Sequence, residues 1–186
     1  MSKLTDILYK VPIEAVIGNT QLSVSELQFD SRKVQLNDVF VAIKGTTVDG
    51  HDFVEKAVNQ GALVVVCENL PEKQVNGVTY IKVIDSQKAL AIMAANQYDN
   101  PSKKLKLVGV TGTNGKTTVT SLLFKVFKNA GYKVGLISTV QVCIDNEVIP
   151  ATHTTPDPLQ LQHHLAVMVD VGVSFCFMEV SSHGIH

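Results

Sequence analysis

The stretch Gly109-Val-Thr-Gly-Thr-Asn-Gly-Lys-Thr-Thr118 constrains this chain most, because it calls for a strand before it and a helix after it. Glycines let backbone N–H groups approach phosphate closely, and the helix start behind them offers unpaired N–H groups and a positive dipole end. The common loop G-x-x-x-x-G-K-[ST] would place a glycine where Val110 stands; here the loop is shorter, Gly112-Thr113-Asn114-Gly115-Lys116-Thr117. In such loops the lysine reaches the outer phosphates and the next hydroxyl holds magnesium. The flanks agree. Residues 105–110 read as a buried strand, and Val119, Leu122, Leu123, Val126 and Phe127 fall on one helical face that Asn129-Ala130-Gly131 closes. The competing reading is a glycine-rich turn with a surface lysine.

With 186 residues and 45% hydrophobic content the chain can bury a core and has room for one or two domains. A net charge of -1 without a basic run argues against a nucleic-acid surface. No apolar run is long enough to span a bilayer, and the start, Met1-Ser-Lys-Leu-Thr-Asp6, lacks the layout of a signal peptide, so a cytoplasmic protein is expected. Cys67, Cys143 and Cys176 lie in apolar, strand-like runs without C-x-x-C spacing and read as buried thiols.

Asn100-Pro101-Ser102-Lys103-Lys104 reads as a boundary between two α/β units, 1–100 and 101–186. In the first, residues 24–29, 39–43, 62–67 and 79–83 look like strands. Asp52-Phe53-Val54-Glu55 offers a capping box for a helix closed by Gly61, and Asp85 caps a second helix reaching about Tyr98. In the second, residues 133–138 form a strand, and 140–144 and 147–149 flank an Asp145-Asn146 hairpin turn. Asp157-Pro158 starts a helix with Leu161, Leu165 and Met168 on its apolar stripe, ended by Gly172. Residues 174–180 are then a buried strand that delivers Glu179, Ser181, Ser182 and His183 at its carboxyl end, where open α/β sheets bind ligands. A parallel sheet would continue with another crossover, so the second unit reads as truncated.

An acid ending a run as apolar as Val173-Ser-Phe-Cys-Phe-Met178 is costly without a partner, and magnesium beside the loop is the natural one. The alternative is a carboxylate emerging into solvent. His163 and His164 are helical neighbours pointing about 100° apart, so they do not chelate. His183 could face substrate or be structural. Asp30-Ser31-Arg32 and Lys44-Gly45-Thr46-Thr47-Val48-Asp49-Gly50 each follow a strand; they suit a polar ligand or are ordinary turns.

Taken in order, Asp30-Ser31-Arg32, Asp38-Val39-Phe40-Val41-Ala42, Asp49-Gly50-His51-Asp52-Phe53, GVTGTNGKTT, HTTPDP and MEVSSHG resemble the Mur ligases of peptidoglycan synthesis over essentially the whole chain. The resemblance implies a small N-terminal α/β UDP-binding domain followed by the first part of a mostly parallel α/β ATPase domain with a P-loop. It implies ATP-dependent addition of the third stem-peptide amino acid, meso-diaminopimelate or L-lysine, to UDP-MurNAc-L-Ala-D-Glu through an acyl phosphate. By that likeness Lys116 and Glu179 are catalytic, and Gly112, Thr113, Asn114, Gly115, Lys116, Thr117 and Thr118 bind ATP. Thr117 and Glu179 would hold Mg2+. Phe29, Ser31, Thr46, Thr47 and Val48 would bind the UDP end, and His153, Thr154, Thr155 and Ser181 the muramoyl-dipeptide, although His153 stands where the family often has Asn. A monomer that uses neither nucleic acid nor membrane is implied. The family's remaining substrate and metal ligands would follow His186, so these 186 residues alone would not complete the reaction. A small P-loop kinase or NTPase, and a non-catalytic UDP-sugar or nucleotide-binding module, remain as alternatives at this stage.

Overall fold

The computed structural model describes residues 1–45, 48–150 and 156–181. Contacts within the chain group it into two compact units, Met1–Gln97 and Tyr98–His186.

The first unit opens with β1 (Ser2–Lys3), α1 (Leu4–Ile7), β2 (Ile13–Ile17), β3 (Ser23–Val24) and β4 (Leu27–Gln28). β5 (Val39–Val41), α2 (Val54–Asn59), β6 (Val64–Cys67), β7 (Thr79–Val83) and α3 (Ser86–Gln97) follow. One sheet has the order β2-β7-β6-β5-β4, and β1 pairs separately with β3. β4 to β7 are parallel neighbours, and β2 adds on antiparallel to β7. β5 and β6 are apolar at every position because both of their faces are covered. Phe40, Val65 and Tyr80 pack with Val54 and Ala57 of α2. Alternation turns Val39, Val41, Val64, Val66 and Ile81 to the other face, where they are equally buried.

Local chemistry explains where this unit departs from expectation. Residues 24–29 make two short strands instead of one, because Ser25 N donates to Asn37 O (2.9 Å) and Glu26 N to Asp38 Oδ1 (3.0 Å), leaving the ladder. The capping box at Asp52 does not form. A 3-10 turn, Gly50–Phe53, precedes α2, and its cap is Asp49, whose carboxylate accepts from His51 N at 2.9 Å. Asp85 does cap α3, accepting from Lys88 N at 2.8 Å.

Asp38 is only 2% exposed, and its other oxygen accepts from Gln35 N at 2.9 Å. Asp38→Ala leaves two backbone donors without their acceptor and is expected to cost about 2 kcal/mol, read from the urea midpoint. Asp38→Asn should recover part of it, since its carbonyl oxygen replaces one acceptor.

The second unit contains β8 (Lys106–Val110), α4 (Lys116–Asn129), β9 (Val134–Ile137), β10 (Gln141–Ile144), β11 (Glu147–Pro150), α5 (Pro158–Asp170) and β12 (Phe175–Glu179). Its sheet order is β11-β10-β9-β12-β8, with β9, β12 and β8 parallel and β10 and β11 antiparallel. Helices lie on both faces. Leu123, Phe124 and Phe127 of α4 pack on Val134, Leu136 and Phe177, while Leu165 and Met168 of α5 pack on Ile137, Val142, Ile144 and Cys176. Asp157 caps α5 by accepting from Gln160 N at 2.9 Å, and Asp145 takes the positive φ of 53° that the hairpin requires.

β8 differs from the buried strand expected. Leu107 and Val108 are 38% and 37% exposed, because β8 is the edge of its sheet. The apolar stripe of α4 is likewise wider than its packed face, leaving Val119, Leu122 and Val126 exposed. The three cysteines are buried thiols, and burial pushes Cys67 up to about 11 and Cys176 up to about 12, which makes them poor nucleophiles. Among the described residues no helix is long and apolar enough to cross a membrane.

Candidate functional site

Each unit brings its polar loops to the carboxyl edge of its parallel strands. In the second unit Val110, ending β8, lies opposite Glu179, ending β12, and Val180 N donates to Val110 O at 2.9 Å. The glycine loop and the acidic residue therefore leave adjacent strands at one edge.

The loop residues Gly112, Thr113, Asn114 and Gly115 are exposed, as are Thr117 and Thr118 in the first turn of α4. Gly112 has φ 147° and Gly115 φ 81°, backbone conformations that side chains disfavour. A Cβ at Gly115 would meet nothing within 4 Å, so backbone conformation selects this glycine and the space beside it is open. Gly115 sits at the N-cap without a capping side chain, which leaves the first amides of α4 for another acceptor. The Lys116 ammonium folds over the loop and donates to Gly112 O at 2.7 Å and Thr113 O at 3.4 Å. Thr120, fully buried, donates its hydroxyl to Lys116 O and Thr117 O at 2.9 and 3.2 Å and so braces the turn that presents them.

Glu179 is 8% exposed, and its Oε1 is buried with no hydrogen-bond partner among the described residues. A desolvated carboxylate oxygen with no donor is a costly arrangement that a cation would relieve. The Glu179 carboxylate and the exposed Thr117 hydroxyl are both hard-oxygen donors, the donor chemistry that suits magnesium shared with phosphate. Ser181 follows β12, half-buried. His153, Thr154, Thr155 and His183 lie outside the described residues. His163 is exposed and meets Tyr98 edge-on, with ring centroids 5.8 Å apart.

In the first unit a pocket of about 640 Å³ opens at the ends of β4 and β5. Its lining includes Phe29, Ser31 and Val48 of the expected residues, together with Phe40; Thr46 and Thr47 lie outside the described residues. Asp30 shapes this wall. Its carboxylate accepts from Arg32 N at 3.0 Å, capping the 3-10 turn Ser31–Lys33, and grips the Arg32 guanidinium at 2.8 Å. The guanidinium holds the Asp30 carboxyl down at about 2 from 3.8, so this pair's contribution is complete above the ordinary value and fades as pH falls toward about 2. Ser31 is buried, and its hydroxyl has no partner among the described residues, which leaves it for a ligand.

Arg32 is already paired with Asp30. Lys56, from α2, also lines the pocket and has no ion-pair partner among the described residues. Sequence reading missed Lys56, together with Ile43 and Phe53, because only the packing of α2 and the strand exits brings them to this wall.

Comparison with known proteins places both regions. Residues 110–186 match the Mur ligase middle domain, and residues 23–98 match a pattern described as Mur ligase family, catalytic domain. The chain is 50% identical over 182 residues to the UDP-N-acetylmuramoyl-L-alanyl-D-glutamate--2,6-diaminopimelate ligase of Cytophaga hutchinsonii, covering 97% of this chain and 37% of that protein. The same-named ligase of Bacteroides fragilis is 49% identical over 183 residues, covering 98% of this chain and 38% of that protein. A solved structure of a ligase with this name superimposes with a TM-score of 0.76 at 26% identity, over 100% of this chain and 37% of that one. The MurF ligase of Thermotoga maritima, solved in complex with ADP, superimposes with a TM-score of 0.52 at 28% identity, covering 86% of this chain and 32% of that one. The chain thus spans well under half the length of these relatives, and it belongs to the Mur ligase family.

Proposed function

We propose that this chain carries the UDP-substrate site and the ATP loop of a ligase that joins 2,6-diaminopimelate to UDP-MurNAc-L-Ala-D-Glu. The observation that carries the reading is the orphaned Glu179 oxygen on the strand beside an open glycine loop. The names of the relatives supply the substrates, and the ADP complex of the Thermotoga maritima relative supports a nucleotide at the loop.

In the proposed reaction a carboxylate oxygen of the D-glutamate attacks the terminal phosphorus of ATP, and ADP leaves. The amine nitrogen of diaminopimelate then attacks the acyl carbon, loses a proton, and inorganic phosphate departs as the amide forms. Lys116 would counter charge on the transferring phosphoryl oxygens, and the amides of Gly112 to Thr118 would hold the rest of the phosphate chain. Thr117 and Glu179 would hold magnesium, which when bound neutralises phosphate charge. Ser181, with His153, Thr154 and Thr155, would bind the muramoyl-dipeptide. Phe29 and Val48 would hold the uracil between apolar groups, with Ser31, Thr46 and Thr47 on its polar atoms.

Because the chain spans so little of its relatives' length, binding tests the reading more directly than turnover. Calorimetry should detect UDP-MurNAc-L-Ala-D-Glu at the first unit and magnesium-ATP at the second. Lys56→Ala should weaken UDP about tenfold and leave uridine unchanged, since only the diphosphate needs the charge. ATP binding without any affinity for the UDP compound would point instead to a general NTPase. Equal losses for UDP and uridine would remove Lys56 from the diphosphate.

A further inference from the structure

His51 stands in the turn that follows the loop walling the UDP pocket, and its ring is 14% exposed. Its Nε2 lies 2.9 Å from Glu68 N and 3.4 Å from Asn69 N, and both of these are backbone donors. Nε2 must therefore accept, so it carries a lone pair and no proton. Its Nδ1 lies 2.6 Å from Asp49 Oδ1, an acceptor, so the ring proton sits on Nδ1. The contact with Asp49 has the spacing of an ion pair, yet the amides at Nε2 make it a hydrogen bond from a neutral ring.

Both ends of this bridge are themselves fixed. Asp49 also accepts from His51 N at 2.9 Å, and it stands in an isolated bridge with Lys44. Glu68 follows β6, and its Oε1 accepts from Ser86 N and Oγ at 3.0 and 2.9 Å, which anchors it to the start of α3. Between Lys44 and Asp49 lie Gly45 and Val48, two lining residues of the pocket. Apart from this bridge the loop is held at its base by Gly45 N to Val48 O (3.0 Å) and Gly50 N to Ile43 O (2.8 Å).

We infer that His51 is a positioning residue: as a neutral ring protonated on Nδ1, it ties the loop carrying Gly45 and Val48 to the amide of Glu68 and so holds the pocket wall in place for a nucleoside diphosphate. The inference rests on the pocket's proposed ligand, but the tie itself can be read without any ligand. A side chain that merely filled space here would be indifferent to which nitrogen bears the proton, whereas the tie requires one tautomer.

The test uses the 186-residue chain with UDP as probe. Side-chain 15N spectra at pH 7.5 should show His51 neutral, with Nδ1 protonated and Nε2 bare. The Glu68 amide should be protected from hydrogen exchange, exchange at least tenfold faster in His51→Ala, and regain protection in His51→Gln, whose amide oxygen can accept the same bond. UDP should bind about tenfold more weakly to His51→Ala, with the loss partly restored in His51→Gln. A cationic ring, a proton on Nε2, or unchanged Glu68 exchange in His51→Ala would overturn the tie. If UDP fails to bind the unaltered chain, the proposed ligand is wrong while the spectra and the exchange still decide the tie. Unchanged UDP affinity in His51→Ala, with the exchange altered as expected, would overturn the positioning role.

Discussion

Glu179→Gln is expected to make the free chain more stable while removing magnesium's contribution to nucleotide binding. The native carboxylate is 8% exposed, and its buried oxygen has no donor among the described residues. A neutral amide of nearly the same shape is less costly to desolvate than a charge. We expect a gain of about 1 kcal/mol, or about 4 °C in the unfolding midpoint for a unit of this size. ATP affinity should rise when magnesium is added to the unaltered chain and should respond at least tenfold less in Glu179→Gln. The opposed signs give the test its force, since stability surrendered at a site is a mark of function. A carboxylate that merely emerges into solvent would move neither quantity, and a lower midpoint with the magnesium response intact would refute the proposed role.

The parts of this fold legible in the sequence were those whose cause is local. Asp157-Pro158 starts α5 because a side-chain acceptor and a fixed φ are needed there, and Asp145-Asn146 turns the hairpin because a positive φ is tolerated. The glycine loop could be placed for the same reason: its strand, backbone conformation and helix are all written within about twenty residues. The parts not legible depend on what packs where. β2 was missed because its residues are exposed and its pairing with β7 is broken by an irregularity between Ile13 and Ala15, which spoils the alternation. The apolar run of β8 looked buried, and only its edge position shows otherwise. At Asp49-Gly50-His51-Asp52, two acids competed to cap one helix start. The nearer spacing to His51 N won, and with it came the link to Glu68, which lies 17 residues away in the chain. The pocket shows the same division. Ser31 and Val48 could be proposed because the family resemblance falls on their loops, but Lys56 could not, because its place depends on α2 packing beside the ends of β4 and β5.

Gly50→Ala is expected to have the larger effect on the first unit. Gly50 has no left-handed φ, so its need for glycine is one of closeness. An added Cβ would lie 2.6 Å from both Ile43 N and Ile43 O and 3.2 Å from Ala42 C, all backbone atoms directly beyond β5. Backbone at the exit of a buried central strand cannot give as a flexible side chain can, so the loop itself must move away. That movement breaks the bond from Gly50 N to Ile43 O and carries Asp49 and His51 with it. Ile43, Gly45, Val48 and Gly50 all line the pocket, so one methyl group opens its wall. We expect a loss of about 3 kcal/mol in stability and at least a hundredfold loss of UDP affinity, measured on the fraction that remains folded. Gly77→Ala separates closeness from backbone strain: its φ is 89°, a Cβ there would meet nothing within 4 Å, and it does not line the pocket. That control should cost about 1 kcal/mol and leave UDP binding unchanged. A Gly50→Ala chain that binds UDP within twofold of the original would show that the wall does not depend on this crossing, and that the loop can shift without disturbing what the pocket holds.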